Sequence, residues 1–297
     1  DYYGYDAYGT VLDGTTTFSD FWTEKDENGN RLFPVAPDQP IYTAAYIQDK
    51  FSYKDIIFRV GLRVDRYDAN TKVLRDRYSF FGVTTVADYK AQYPDATIPE
   101  NIGDDYVVYG DNPNILDVSR LTAFRNGDDW FNGDGVFQNN VVTGLGAENV
   151  QMIFPSDVTE TDVTNQDYDF ESAFRDAAPQ VSVMPRLAFS FPINEGAGFF
   201  AHYDVLTQRA PSNTRTSALD YYRILNTIQT DGNLNNPELK PEKTVDYEVG
   251  FQQLLTEKTA MKVSLYYKEL RDLIQSQFYN FAEPGQYFGY GNQDFGT

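Results

Sequence analysis

Residues 234–274 read LNNPELKPEKTVDYEVGFQQLLTEKTAMKVSLYYKELRDLI. From Val245 to Phe251 the odd positions are Val245, Tyr247, Val249 and Phe251, and the even ones are Asp246, Glu248 and Gly250. That period-two alternation belongs to a strand with one apolar and one polar face. Past a polar connection from Leu254 to Thr259, alternation resumes with Met261, Val263, Leu265 and Tyr267 against Lys262, Ser264, Tyr266 and Lys268. Two such strands make a β-hairpin. Its apolar face suits a protein core or lipid equally, and the rest of the chain has to decide between them.

The pattern recurs twice upstream. A strand from Tyr42 to Phe51 leads through Ser52 to Asp55 into Ile56 to Asp68, where Ile56, Phe58, Val60, Leu62 and Val64 face away from Arg59, Gly61, Arg63 and Asp65. Charges on one face exclude that face from a sandwich core, but both the outward face of a sandwich and a water-filled lumen accept them. A third hairpin sets Val181, Val183, Leu187, Phe189 and Phe191 beside Phe199, Ala201, Tyr203 and Val205. His202 and Asp204 lie on the opposite face, as does Arg186, and Pro185 interrupts the first strand, where it removes a ladder donor.

Connections within hairpins read as four to six residues: Ser52 to Asp55, Pro192 to Ala197 and Leu254 to Thr259. Those between hairpins are long, residues 69–180 and 209–243. Short and long turns alternate when every strand crosses a membrane. Phe51, Tyr53, Phe191, Phe199 and Phe251 gather at the short-turn ends, as in an interfacial aromatic girdle. No window supplies the roughly 18 apolar residues of a transmembrane helix, but a barrel carries its hydrophobicity on alternate residues.

Composition excludes several partners. The net charge is -20, whereas phosphate backbones need a basic surface, so no nucleic acid is expected. With no cysteine and the single histidine His202, neither a disulfide framework nor a first-row metal site is expected, and no cofactor is implied. Asp26, Asn28 and Asn30 have the spacing of a calcium loop, but Arg31 and Pro37 replace the required Gly and Glu, leaving a surface turn. No nucleophile elbow, P-loop or dinucleotide fingerprint occurs, and no motif fixes a carboxylate pair, so no enzyme is expected.

The connection from residue 69 to 180 is 112 residues long, far beyond an ordinary structureless loop. It holds 19 acidic and 7 basic residues, a net of -12, which reads first as a solvated acidic face. Residues 86–95, VADYKAQYPD, suit a short helix ended by Pro94. A sharper reading takes NGDDWFNGDG, residues 126–135, as presenting Trp130 and Phe131 to a sugar ring.

NPELKPEKTVDYEVGFQ (236–252) resembles the Asn-Pro-x-Leu-Lys-Pro-Glu segment and following strand of TonB-dependent outer-membrane receptors. So do AAYIQDKFSYKDIIFRVGLRVDRYD (44–68), MPRLAFSFPI (184–193) and VSLYYKELRDLIQ (263–275), in the order found in Bacteroidetes members of that family. The resemblance implies an all-β fold, an antiparallel transmembrane barrel of about 22 strands around an N-terminal plug. It also implies a place in the outer membrane bilayer, a TonB complex reached through the plug, a small nutrient as substrate and a surface lipoprotein as a frequent partner. No stretch resembles the plug, the TonB box or the closing strand, and only eight or nine strands can be counted, so the chain is expected to be one barrel fragment with the two long connections outside the cell. Alternation then makes Arg59, Arg63, Asp65, Arg186, His202, Asp204, Asp246 and Glu248 candidate lumen residues, for substrate or for solvation. A soluble β-sandwich that binds glycans and a barrel scaffold that transports nothing are the alternatives. Glycan, peptide and metal chelate all stay open as cargo.

Overall fold

The computed structural model describes residues 4–145, 149–156, 158, 163, 165, 167–210, 216–227 and 233–293. The three hairpins form as read and join edge to edge. β1 (Ile41–Tyr53) and β2 (Ile56–Asp68) are followed by β3 (Lys72–Leu74), β4 (Val107–Gly110), β5 (Leu121–Asn126), β6 (Asp129–Asn132), β7 (Gln151–Met152) and β8 (Phe174–Asp176). Then come β9 (Gln180–Asn194), β10 (Ala197–Gln208), β11 (Glu242–Thr256), β12 (Thr259–Arg271), β13 (Leu273–Tyr279) and β14 (Tyr287–Gln293). The long strands make a six-stranded antiparallel sheet in the order β1-β2-β9-β10-β11-β12. This is a meander whose neighbours are consecutive once the short strands are set aside. β2 and β9 pair from Ile57↔Ser190 to Tyr67↔Gln180 although the long connection separates them in sequence.

Two expectations are corrected by the ladders. Fourteen strands occur among the described residues, rather than eight or nine, because eight short ones lie outside the wide sheet. The hairpin turns are also tighter than the alternation indicated. Tyr53 pairs directly with Ile56, leaving Lys54 and Asp55 as the turn, and Lys54 takes φ 54°, the left-handed conformation that a two-residue hairpin turn uses. In the other two hairpins the ladders shift register at Ala197/Gly198 and at Leu254/Thr256. Such bulges break period-two alternation before the pairing itself ends. The β9–β10 ladder stops at Arg186↔Asp204, so Pro185, opposite Leu62, sits where β9 has a partner on one side alone and a missing N–H is tolerated.

The long connection folds. β6-β5-β4-β7 form a four-stranded sheet and β3-β8 a two-stranded one. α2 (Val86–Gln92) forms where expected, and its Thr85/Asp88 capping box satisfies two N–H groups at its start. Around these pack α1 (Asp20–Thr23), α3 (Val141–Leu145), α4 (Phe170–Ala173) and α5 (Ala218–Thr227). β13 and β14 form the hairpin of a separate two-stranded sheet. One core gathers Trp22, Phe80, Trp130, Phe174, Tyr221, Leu234 and Tyr287, and a second sets Val86 and Tyr89 of α2 against Val108, Phe124 and Ile153.

Of the buried hydrophobic residues, only Ala197, Val205 and Val245 belong to the six-stranded sheet. The hydrophobic core therefore lies in the loop-side body. Among the described residues no second sheet covers the wide one, and the soluble sandwich alternative falls for that reason.

Candidate functional site

Register places the charged residues of the six-stranded sheet in rows across one face. Lys50, Arg59, Ala188, His202, Glu248 and Tyr266 are successive cross-strand neighbours. One step along, Gln48, Gly61, Arg186, Asp204, Asp246 and Lys268 make the next row. Arg63 and Asp65 follow in the two rows beyond, beside Tyr46 and Ala44. All eight sequence-derived strand candidates thus share one polar face, as side chains two residues apart must.

Seven of the eight meet in separate pairs rather than one centre, and Arg59 forms no ion pair among the described residues. Arg186 Nε lies 2.8 Å from Asp204 Oδ1, and Lys268 Nζ lies 3.3 Å from Asp246 Oδ2. His202 Nε2 is 3.6 Å from Glu248 Oε2, whose other oxygen is 3.9 Å from Lys262. Arg63 Nε donates to Asp65 Oδ1 at 2.7 Å, and the Tyr42 hydroxyl donates to Asp65 Oδ2 at 2.5 Å. Asp246 Oδ1 is buried without a hydrogen-bond partner. Gly250 leaves a gap in this polar face. The Phe200 ring lies across it, so a Cβ there would come within 2.1 Å of the ring, and Lys262 Nζ stands 4.6 Å from the ring centroid. The pairing of Lys268 with Asp246 and of Tyr42 with Asp65 depends on register, which alternation alone does not supply.

The opposite face is apolar through its middle apart from Asp49, which lies opposite Val60, with Arg66, Lys243, Glu269 and Arg271 toward the loop ends, and no second sheet covers it among the described residues. Phe51, Phe58, Phe189, Ala201, Val249 and Leu265 form one row, and Tyr203, Tyr247 and Tyr267 stack across three strands with centroids 5.0 and 6.2 Å apart. Leu265 is 74% exposed and Ile47 73%.

Trp130 and Phe131 correct the ligand-presenting reading. Trp130 is 1% exposed, with Tyr109, Tyr78 and Phe281 around its ring. Phe131 is half-buried between Tyr106 and Phe137. Both are packing residues, because the polar turn around them returns its aromatics to the body beneath.

The NPELKPE segment is a junction between that body and the sheet. Glu238 accepts two hydrogen bonds from the Arg175 guanidinium, at 2.6 and 2.7 Å, and a third from Ala178 N at 2.8 Å. Asn236 Oδ1 accepts from Glu238 N, Lys240 exchanges two bonds with the Asn292 side chain, and Glu242 accepts from Ile274 N. Leu239 is buried and its carbonyl accepts from Gln180 Nε2. One short segment therefore binds the entries to β9, β11 and β13 to one another.

Burial pushes the Glu238 carboxyl up, but the Arg175 hydrogen bonds, the Ala178 N–H and the arginine charges outweigh it and hold it below its ordinary value. The stabilisation it provides is complete above the usual glutamate range and is lost as pH falls through the depressed folded value. Glu238→Gln should therefore weaken the junction by about 1.5–3 kcal/mol near neutral pH. As pH falls below the depressed folded value the variant and the parent should converge. Melts followed by tryptophan fluorescence test this, since both tryptophans, Trp22 and Trp130, lie in the loop-side core; a constant difference across the acid range would contradict it.

Comparison with known proteins agrees with this architecture. The family model described as TonB dependent receptor-like, beta-barrel matches residues 1–296. No curated protein matches the sequence. Among solved structures, the Serratia marcescens hemophore receptor HasR, a double mutant in complex with its hemophore HasA and heme, is 13% identical. The match covers 86% of this chain and 30% of that one, with a TM-score of 0.41. The copper transporter OprC is 12% identical over 84% of this chain and 24% of its own, with a TM-score of 0.32. The ferric-catecholate import receptor Fiu from E. coli K12 is 11% identical over 89% and 27%, with a TM-score of 0.33. The chain spans about a quarter to a third of the length of these structures. With a two-faced antiparallel meander and a family model that matches all but the last residue, the protein belongs to the TonB-dependent receptor-like β-barrel family.

Proposed function

We propose that the six-stranded sheet is part of the wall of a larger outer-membrane barrel, a receptor of the Bacteroidetes type that takes up a scarce nutrient through TonB and acts as a transporter rather than an enzyme. The observation that carries this is the sheet's two faces. A wide, mostly apolar face with Leu265 and Ile47 almost three-quarters exposed far exceeds what a water-soluble surface tolerates, while the other face carries the charged pairs. Lipid on one side and a water-filled lumen on the other satisfy both. In this arrangement the two-residue turns face the periplasm and the folded body covers the outer mouth. Arg59, Arg63, Asp65, Arg186, His202, Asp204, Asp246 and Glu248 face the lumen. The cargo is a glycan, a peptide or a metal chelate, and a surface lipoprotein is the partner expected on the loop side.

Orientation is tested by paired substitutions in β11. Val249→Arg, on the apolar face, should destabilise the barrel in lipid vesicles by up to about 2–4 kcal/mol, the depth-dependent cost of a guanidinium on a lipid face. Glu248→Gln on the polar face should change it far less. Equal tolerance of both would remove the lipid-facing assignment. For transport, cells lacking the gene are grown on limiting glycans, peptides and ferric chelates. The expected result is a growth defect on one class, restored by the gene but not in a strain without TonB. Restoration without TonB would favour a scaffold that transports nothing.

A further inference from the structure

A polar cavity of about 460 Å³ opens in the loop-side body between β3, the β5–β6 turn, the stretch around Glu238 and the β13–β14 hairpin, a size suited to small ligands. Four arginines and four carboxylates line it, so composition favours neither sign. Their placement does. Arg75, Asp105 and Asp128 are exposed, where solvent screens them. Deeper stand Arg77, Arg125 and Arg175 against Asp76 and Glu238. Arg125 is closed by Asp76 at 2.5 Å and Arg175 by Glu238 at 2.6 Å.

Arg77 is the guanidinium left over. Nη1 donates to the Tyr279 hydroxyl at 3.3 Å, and among the described residues no carboxylate pairs with it. A guanidinium carries five N–H donors in a planar fork, and the charges of Asp128 and Glu238 reach that of Arg77 only from beyond ion-pair distance. Burial pushes its pKa down, but the Tyr279 phenol, with Asp128 and Tyr287, holds it above its ordinary value. An arginine is not deprotonated in a protein, so the cavity meets a charged guanidinium.

We propose that this cavity binds the oxyanion group, a carboxylate or phosphate, of a small soluble solute, gripped by Arg77 between the closed Arg125–Asp76 and Arg175–Glu238 pairs. The fork of Arg77 suits bidentate capture of such a group. The inference rests on the receptor reading for its biological use alone, because binding to purified receptor requires no energised transport.

Calorimetry on the receptor in detergent, with inorganic phosphate and citrate as probes and glucose as the neutral probe, tests it. Saturable binding of at least one oxyanion and none of glucose is expected. Arg77→Gln should weaken it about ten- to a hundredfold, the value of a hydrogen-bonded charge. Asn126→Asp adds a negative charge at an exposed position on the rim, leaves the core untouched and should weaken binding severalfold, less at high salt. The proposal is overturned if neither oxyanion binds, if glucose binds as well as they do, or if Asn126→Asp leaves their binding unchanged. Should Arg77→Gln fail to fold, Asn126→Asp decides alone. Oxyanion binding without TonB-dependent growth would overturn the transport reading and leave this one standing.

Discussion

Arg125→Met will lower the stability of the loop-side body by about 3–5 kcal/mol, the cost of removing one partner from a buried ion pair. The Arg125 side chain is 3% exposed and that of Asp76 11%, with Nη2 and Oδ2 2.5 Å apart. Nε donates to the Tyr109 hydroxyl and Nη1 to the Gly127 carbonyl, each at 2.9 Å, and the guanidinium lies 4.3 Å from the Tyr78 ring centroid. Burial disfavours its charge, yet Tyr109 and Asp76 outweigh burial and leave it above its ordinary value. Methionine would fill much of the volume but leave Asp76 without its cation, and that uncompensated charge supplies most of the loss. Adding Asp76→Asn should recover a substantial part, since an amide is cheaper to bury than a carboxylate. Denaturation followed by tryptophan fluorescence gives both numbers. A double variant no more stable than Arg125→Met would refute the charge explanation.

Trp130→Ala should cost a similar amount, about 3–5 kcal/mol, as large-to-small substitutions of buried aromatics do. Its ring centroid lies 4.8 Å from that of Tyr109 and 5.5 Å from those of Tyr78 and Phe281, so removal opens a cavity that none of these rings can close by rotation. Trp22 fluorescence remains as the reporter. The outcome separates two roles: a ligand-stacking tryptophan would lose affinity with stability intact, whereas this one should shift the denaturation midpoint. Because Trp130 also stands 5.6 Å from the Arg125 guanidinium, the two losses should not add when combined.

The two kinds of region differ in what their residues disclose. Val245 through Phe251 and Ile56 through Val64 carry a repeat of two, and a strand has a repeat of two, so the faces of Arg59, Asp204 and Glu248 could be read directly. The bulges at Ala197/Gly198 and Leu254/Thr256 hid the true turn lengths, since an extra residue reverses alternation while pairing continues. Trp130 was misread for a different reason. Apart from Phe131, the residues around it in sequence are Asn, Gly and Asp, the residues of an exposed turn, while the groups that bury it stand at Tyr78, Tyr109 and Phe281.

Sequence by itself determined the all-β class, the hairpin order, the membership of the polar and apolar faces and, through NPELKPE, the family. Tertiary structure alone decided the cross-strand rows, the junction through Glu238 and Arg175, and the leftover Arg77 in its cavity. A regular strand repeats its environment every second residue, so pattern suffices to assign a face. The loop-side body repeats nothing. Its contacts join residues as far apart as Arg77 and Tyr279, and only the fold brings such residues together.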